Sequence, residues 1–175
     1  MKRRDVKDHH ERSVLDSFAC VTQADGKNFK VISRPDPPDA FVDIGEDRTW
    51  IEITDAFLSG DLARSITSYS ADDVAHRACG KTVVVNPVRV LEESLCCVIE
   101  KKLKNQQLDQ IAKCNGMGIL LVGLYSPFMD SDDISNLVKI ASDCLAGNTL
   151  FKEAYLYDRE HRFYKVYCTS SRLSK

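Results

Sequence analysis

The feature that most constrains this chain is the run GILLVGL at residues 118–124, which carries no polar side chain and follows the chain breakers Asn115 and Gly116. A half-exposed strand alternates apolar and polar positions. A strand with no polar positions is buried on both faces, and its sheet must be covered on both sides. The run also falls far short of the roughly 18 to 20 apolar residues that a membrane-crossing helix needs, so no bilayer span is expected.

The covering elements are legible in the remaining sequence. Val14, Leu15, Phe18 and Ala19 recur at helical spacing and predict an amphipathic helix over about residues 8–22, with Glu11 one turn before Leu15 on the buried edge. Asp25-Gly26 marks a turn, and residues 29–33 alternate as a half-buried strand. The prolines of RPDPPD at 34–39 forbid helix and central-strand pairing. Residues 40–44, a turn at 45–48, and residues 49–54 then predict a hairpin, in which Trp50 is out of phase with Ile51 and Ile53. A helix is expected over 61–78 with Gly80 as its C-terminal cap, followed by a strand at 82–85. Asn86-Pro87 opens a long helix running to about Lys113, with Leu91, Leu95, Val98, Ile99 and Leu103 on its apolar face. Ser131-Asp132-Asp133 caps a helix that runs to Leu145, and residues 154–157 and 163–168 read as a closing hairpin. Helices and strands therefore alternate around a mixed β-sheet flanked by helices, an α/β chain forming one domain over residues 1–175 with loose ends at about 1–7 and 170–175. Hydrophobic residues make up 43% of the chain, enough to fill such a core.

Charge and cysteine content narrow the function classes. The N-terminal MKRRDVKDHHER has a basic start but no apolar segment behind it, so it does not read as a secretory signal and the expected location is the cytoplasm. A net charge of −2 lacks the basic excess of a non-specific nucleic-acid binder, which confines any basic surface to local runs such as EKKLKNQ at 100–106. The seven cysteines are scattered, without a CxxC pair or a histidine at zinc spacing, and read as reduced thiols buried as small apolar residues. Cys79 stands three residues after His76, but no nucleophile elbow or paired base supports a cysteine or serine hydrolase.

Two carboxylates stand out against this background. Asp39 opens one strand of the predicted hairpin and Glu52 lies in its partner, so the turn folds both toward one end of the sheet. Carboxylates so placed repel unless a cation lies between them, and their hard oxygens suit Mg²⁺ or Mn²⁺.

Pro38-Asp39 followed across a hairpin by Glu52-Ile53-Thr54 resembles the motif of the PD-(D/E)xK nuclease superfamily, with Thr54 standing where that family usually has lysine. Glu11 matches a glutamate that the family often carries on its first helix. The order helix, three strands, helix, strand matches the family's restriction-endonuclease-like core over residues 8–54, 88–113 and 118–124. The resemblance implies a Mg²⁺- or Mn²⁺-dependent endonuclease that hydrolyses phosphodiester bonds in DNA. It further implies that Asp39, Glu52, the Ile53 carbonyl and Glu11 hold the metal. Relatives tolerate a displaced lysine that reaches the same point from another element, and Lys102, one turn beyond Val98 on the apolar helix face, is the expected replacement. Lys101 and Lys104 fall on other faces. The implied partner is nucleic acid, with no membrane and with oligomeric state open, a homodimer included. Thr54 and the small net charge argue for an alternative, a catalytically silent member of the same fold serving as an interaction module.

Overall fold

The computed structural model describes residues 2–77, 86–126 and 129–168. Strand β4 (Gly118–Tyr125) is buried from Gly118 to Leu124, as its unbroken apolar run requires. It sits in a six-stranded sheet whose spatial order follows the chain: β1 (Phe29–Ser33), β2 (Ala40–Ile44), β3 (Asp47–Phe57), β4, β5 (Phe151–Tyr157) and β6 (Phe163–Cys168). The β1–β2–β3 meander and the β5–β6 pair are antiparallel, whereas β3–β4 and β4–β5 are parallel. Parallel neighbours need crossovers. Helices α2 (Gly60–Ser70), α3 (Pro87–Leu103) and α4 (Gln106–Asn115) lie between β3 and β4, and α5 (Ser131–Cys144) lies between β4 and β5.

The alternation of side chains along β3 and β4 divides the interior into two cores. Ile51, Ile53, Ile119 and Leu121 face helix α1 (Arg3–Ala24), where they pack with Val14, Leu15 and Phe18. Trp50, Ala56, Leu120, Val122 and Leu124 face the other way, onto Leu91, Leu95 and Ile99 of α3 and Leu137 and Ala141 of α5. The phase difference between Trp50 and its isoleucine neighbours thus marks two buried faces. Among the described residues no helix is long and apolar enough to cross a membrane.

Several boundaries differ from the sequence expectation. Residues 3–7 are helical rather than loose, and at the start of α1 the Lys2 backbone N–H donates to Asp5 Oδ2 at 3.2 Å. The single helix expected to reach Lys113 is two: α3 ends at Leu103, and the Asn105 side chain accepts from the N–H groups of Gln107 and Leu108, starting α4. The hairpin turn is shorter than four residues. Ile44 pairs with Asp47, leaving Gly45 and Glu46 as the turn, with the positive φ that its first position demands supplied by Gly45. Helix α2 ends at Ser70 rather than near residue 78, and the chain turns back so that the Arg77 N–H donates to Ser68 Oγ. The expected Gly80 cap, the strand at 82–85 and Cys79 lie outside the described residues. The expected burial of the cysteines is also corrected, since Cys20, Cys97 and Cys114 are exposed and Cys96 and Cys144 half-buried. Their helices present these positions to solvent because the larger aliphatic side chains occupy the core face.

Gly118 is fixed by packing rather than by backbone conformation. A Cβ there would stand 2.4 Å from the ring of Trp50, which is fully buried and donates its indole N–H to the Gly116 carbonyl at 2.8 Å. Gly118→Ala should therefore cost about 1–3 kcal/mol or more of stability, the usual range for overpacking. Chemical denaturation measures it, and an unchanged midpoint would show that Trp50 is free to yield.

Candidate active site

The site begins where the β2–β3 ladder stops. The last pair of the ladder is Ala40 with Ile51, and Pro38 and Asp39 lie just before the start of β2. Proline has no N–H to donate. The ladder ends there, and the Ile53 N–H instead donates to Asp39 Oδ2 at 2.7 Å. The N–H and C=O of one strand residue share an edge of the strand, so the Ile53 carbonyl faces the same open end. Asp39 is 5% exposed and Glu52 4%, which makes this a nearly dry pair of carboxylates.

Glu52 belongs to the β3 face that packs on α3, and α3 neutralises it. Lys102 Nζ lies 2.5 Å from Glu52 Oε1, so Lys102 turns toward the carboxylates and not toward solvent. Lys104 pairs with Glu100 at the surface. Glu52 Oε2 is buried without a hydrogen-bond partner. Burial and, next, the charge of Asp39 raise the Glu52 pKa above the usual carboxylate value, although Lys102 pulls against them. Thr54 follows on the same strand, half-buried and opposite Val122 of β4. Its hydroxyl carries no charge, so the cation paired with Glu52 is Lys102.

Glu11 reaches the site from α1, 9% exposed. Its Oε2 takes Arg34 Nη2 at 2.8 Å and its Oε1 lies 3.3 Å from Lys7 Nζ. Lys7 also meets Asp36 Oδ2 at 3.2 Å and Asp39 Oδ1 at 3.9 Å. Burial and then Asp39 raise the Glu11 pKa, against the pull of Lys7. Sequence reasoning found Glu11, Asp39, Glu52 and Lys102 but missed Lys7 and Arg34. Lys7 lay in a segment read as loose, although its place one helical turn before Glu11 was the available signal. Arg34 was hidden in the proline-rich run. Among the described residues no three His, Cys, Asp or Glu side chains converge as a metal-ligand group.

A second polar cluster occupies the opposite face of β3. Asp55 points toward α1, with Oδ2 at 3.1 Å from His10 Nε2 and Oδ1 accepting from the Tyr157 hydroxyl at 2.7 Å. The adjacent β4 position must be glycine, because a Cβ on Gly123 would lie 2.4 Å from Asp55 Oδ1. Burial lowers the His10 pKa, but the hydrogen bond and charge of Asp55, with Glu11 and Asp39 beyond, outweigh it and hold the imidazole above its ordinary 6.5.

Two expectations follow. Lys102→Ala leaves a buried carboxylate unpaired and should lower stability near neutral pH by about 3 kcal/mol, with part of the loss recovered in the Lys102→Ala/Glu52→Gln double variant; equal losses in both, read from urea unfolding, would deny the coupling. The raised His10 pKa means that the native state binds this proton more tightly than the unfolded chain. The His10–Asp55 contribution is therefore complete below pH 6.5 and fades as pH rises through the folded pKa. The difference in thermal midpoint between wild type and Asp55→Asn should accordingly be larger at acid pH than in alkali, and a pH-independent difference would contradict it.

Comparison with protein-family models, with curated proteins and with solved structures finds no match to this chain.

Proposed function

We propose that this chain is a metal-dependent phosphodiesterase of the PD-(D/E)xK type that cleaves nucleic acid, with DNA the substrate that the motif resemblance implies. The observation that carries the reading is the Lys102–Glu52 contact beside Asp39, which supplies from α3 the cation that Thr54 does not. The succession of α1, the β1–β3 meander, α3 and β4 accords with the restriction-endonuclease-like core.

The donor set suits Mg²⁺ or Mn²⁺. Glu52 Oε2 is an orphaned, buried carboxylate oxygen, and the open edge of Ile53 adds a main-chain carbonyl. Two carboxylates without a third side-chain ligand are normal for Mg²⁺, which keeps waters and binds substrate phosphate oxygens instead of filling an all-protein cage. Asp39, Glu52 and the Ile53 carbonyl would hold the ion, while Glu11, engaged by Arg34 and Lys7, borders it. Such an ion supplies Lewis acidity toward the scissile phosphate and a water of lowered pKa. Lys102 contributes a fixed positive charge where negative charge grows on the phosphate, in a corner dry enough to strengthen the interaction. Asp39, locked through Oδ2 to the Ile53 N–H, is held in one orientation. Lys7 brings a second ammonium to the outer side of Asp39.

The ion pairs of Glu11 with Arg34 and Lys7, together with Thr54, favour a second reading in which the same corner is structural and the chain is an inert binding module. Activity separates the two. Cleavage of DNA should require Mg²⁺ or Mn²⁺, stop with EDTA, and fall at least about a hundredfold in Asp39→Ala, Glu52→Ala and Lys102→Met. An inert wild type that gains metal-dependent cleavage with Thr54→Lys would establish the module. No cleavage by either protein, and no heat of Mn²⁺ binding, would remove the nuclease reading.

A further inference from the structure

The end of α1 beyond the acidic corner leads to a groove that the site chemistry does not use. Arg3, Lys7 and Glu11 recur every four residues and form one stripe of the helix. Arg3 stands about 12 Å along the axis from Glu11, at ~1.5 Å per residue. There it borders a groove of about 490 Å³ between the start of α1, helix α2 and the segment after it. Arg64 of α2 and Arg77 also line this groove, with Ser68 and Val74, and among the described residues no carboxylate does. The guanidinium groups of Arg3 and Arg77 have no ion-pair partner among the described residues. Arg64 is held only at the surface, by Asp61 at 3.1 Å and the Gly60 carbonyl at 3.0 Å. Nearby Asp73 is occupied by the Arg3 backbone N–H at 2.7 Å. The segment carrying Arg77 is anchored, since Ser68 Oγ accepts from its N–H at 3.0 Å and meets His76 Nδ1 at 3.4 Å.

An independent feature is tied to the rim of the groove through His76, whose Nδ1 meets the groove residue Ser68 and whose ring meets Tyr69. Tyr69 follows Ser68 and is 81% exposed, the most exposed large hydrophobic residue described. It contacts one edge partner, His76, with ring centroids 5.7 Å apart, which steadies the phenol and leaves ring surface in water. Nothing in the packing of the fold calls for an aromatic there. Arginines that track a phosphate backbone beside an exposed aromatic that stacks bases are the recurrent means of holding single-stranded nucleic acid. A base within a duplex cannot offer its face to such a ring.

We propose that this groove binds an unpaired nucleic-acid strand, with phosphates on Arg3, Arg64 and Arg77 and a base stacked on Tyr69. Insofar as that strand is the substrate, the inference rests on the phosphodiesterase reading and specifies its substrate as single-stranded or locally unpaired. Along α1 the groove and the acidic corner are separated by the ~12 Å between Arg3 and Glu11, so one extended strand can touch both.

The test is fluorescence anisotropy with a labelled oligothymidylate of about 12 nucleotides, titrated against salt in EDTA so that binding is read without cleavage. Arg3→Gln, Arg64→Gln and Arg77→Gln should each weaken binding and reduce the slope of log K against log salt by about 0.7, the value for one single-strand phosphate contact. Tyr69→Ala should weaken binding about tenfold and Tyr69→Phe should not, because stacking uses the ring and not the hydroxyl. All these side chains are exposed, and Arg77→Gln keeps the backbone N–H on Ser68, so folding checked by circular dichroism should be unaffected. Unchanged slopes in the arginine variants, or equal affinity in Tyr69→Ala and wild type, would overturn the proposal. Displacement of the oligonucleotide by polyglutamate at equal charge concentration would also overturn it, because the groove would then be a general anion surface. Specific binding with no cleavage under Mn²⁺ leaves this inference standing and removes the nuclease reading. Cleavage with unaltered binding in every groove variant does the reverse.

Discussion

The two central strands are buried on both faces, so any charge placed on them must be answered by a side chain reaching in from a covering helix. β3 carries two such charges. Glu52 points to the α3 face and is met by Lys102, while Asp55 points to the α1 face and is met by His10 and Tyr157. Removing a carboxylate from water costs several kcal/mol before any pairing, and a chain that pursued stability alone would place aliphatic residues at both positions. Two buried charges in one inner strand of the sheet are the feature on which the proposed function rests.

The acidic corner depends on a backbone detail. The β2–β3 ladder stops at the Ala40–Ile51 pair, the Ile53 N–H turns to Asp39, and the charge of Asp39 acts on the buried Glu52. The repulsion is distributed over three cations from three different segments: Lys7 of α1, Arg34 after β1 and Lys102 of α3. Burial first and the charge of Asp39 second still raise the pKa values of Glu11 and Glu52, and one oxygen of Glu52 has no partner. That residual demand for positive charge is what the proposed divalent ion would meet. The arginine groove continues the same stripe of α1 away from the corner, as the proposed strand-binding path requires.

Much of the fold was readable because burial leaves a periodic trace. The apolar run of β4, the 3.6-residue spacing of Val14, Leu15 and Phe18, and the alternation around Trp50 each predicted its element and its buried face. Boundaries were read less well where a side chain outside the apolar pattern decides them. Asn105 splits α3 from α4 by capping the second helix, and Lys2 with Asp5 extends α1 to a start that hydrophobic spacing could not register.

The same division holds at the site. Sequence alone determined that Asp39 and Glu52 would sit on adjacent strands, because strand register is local and set by a short turn. It also determined that Lys102 lies on the inward face of its helix, because that follows from spacing. Tertiary structure alone decided that Lys102 reaches Glu52, that Lys7 and Arg34 converge on Glu11, and that Arg3, Arg64 and Arg77 border one groove. Those contacts join segments separated by tens of residues, and their geometry depends on how helices lie across a twisted sheet, which no local pattern of residues encodes.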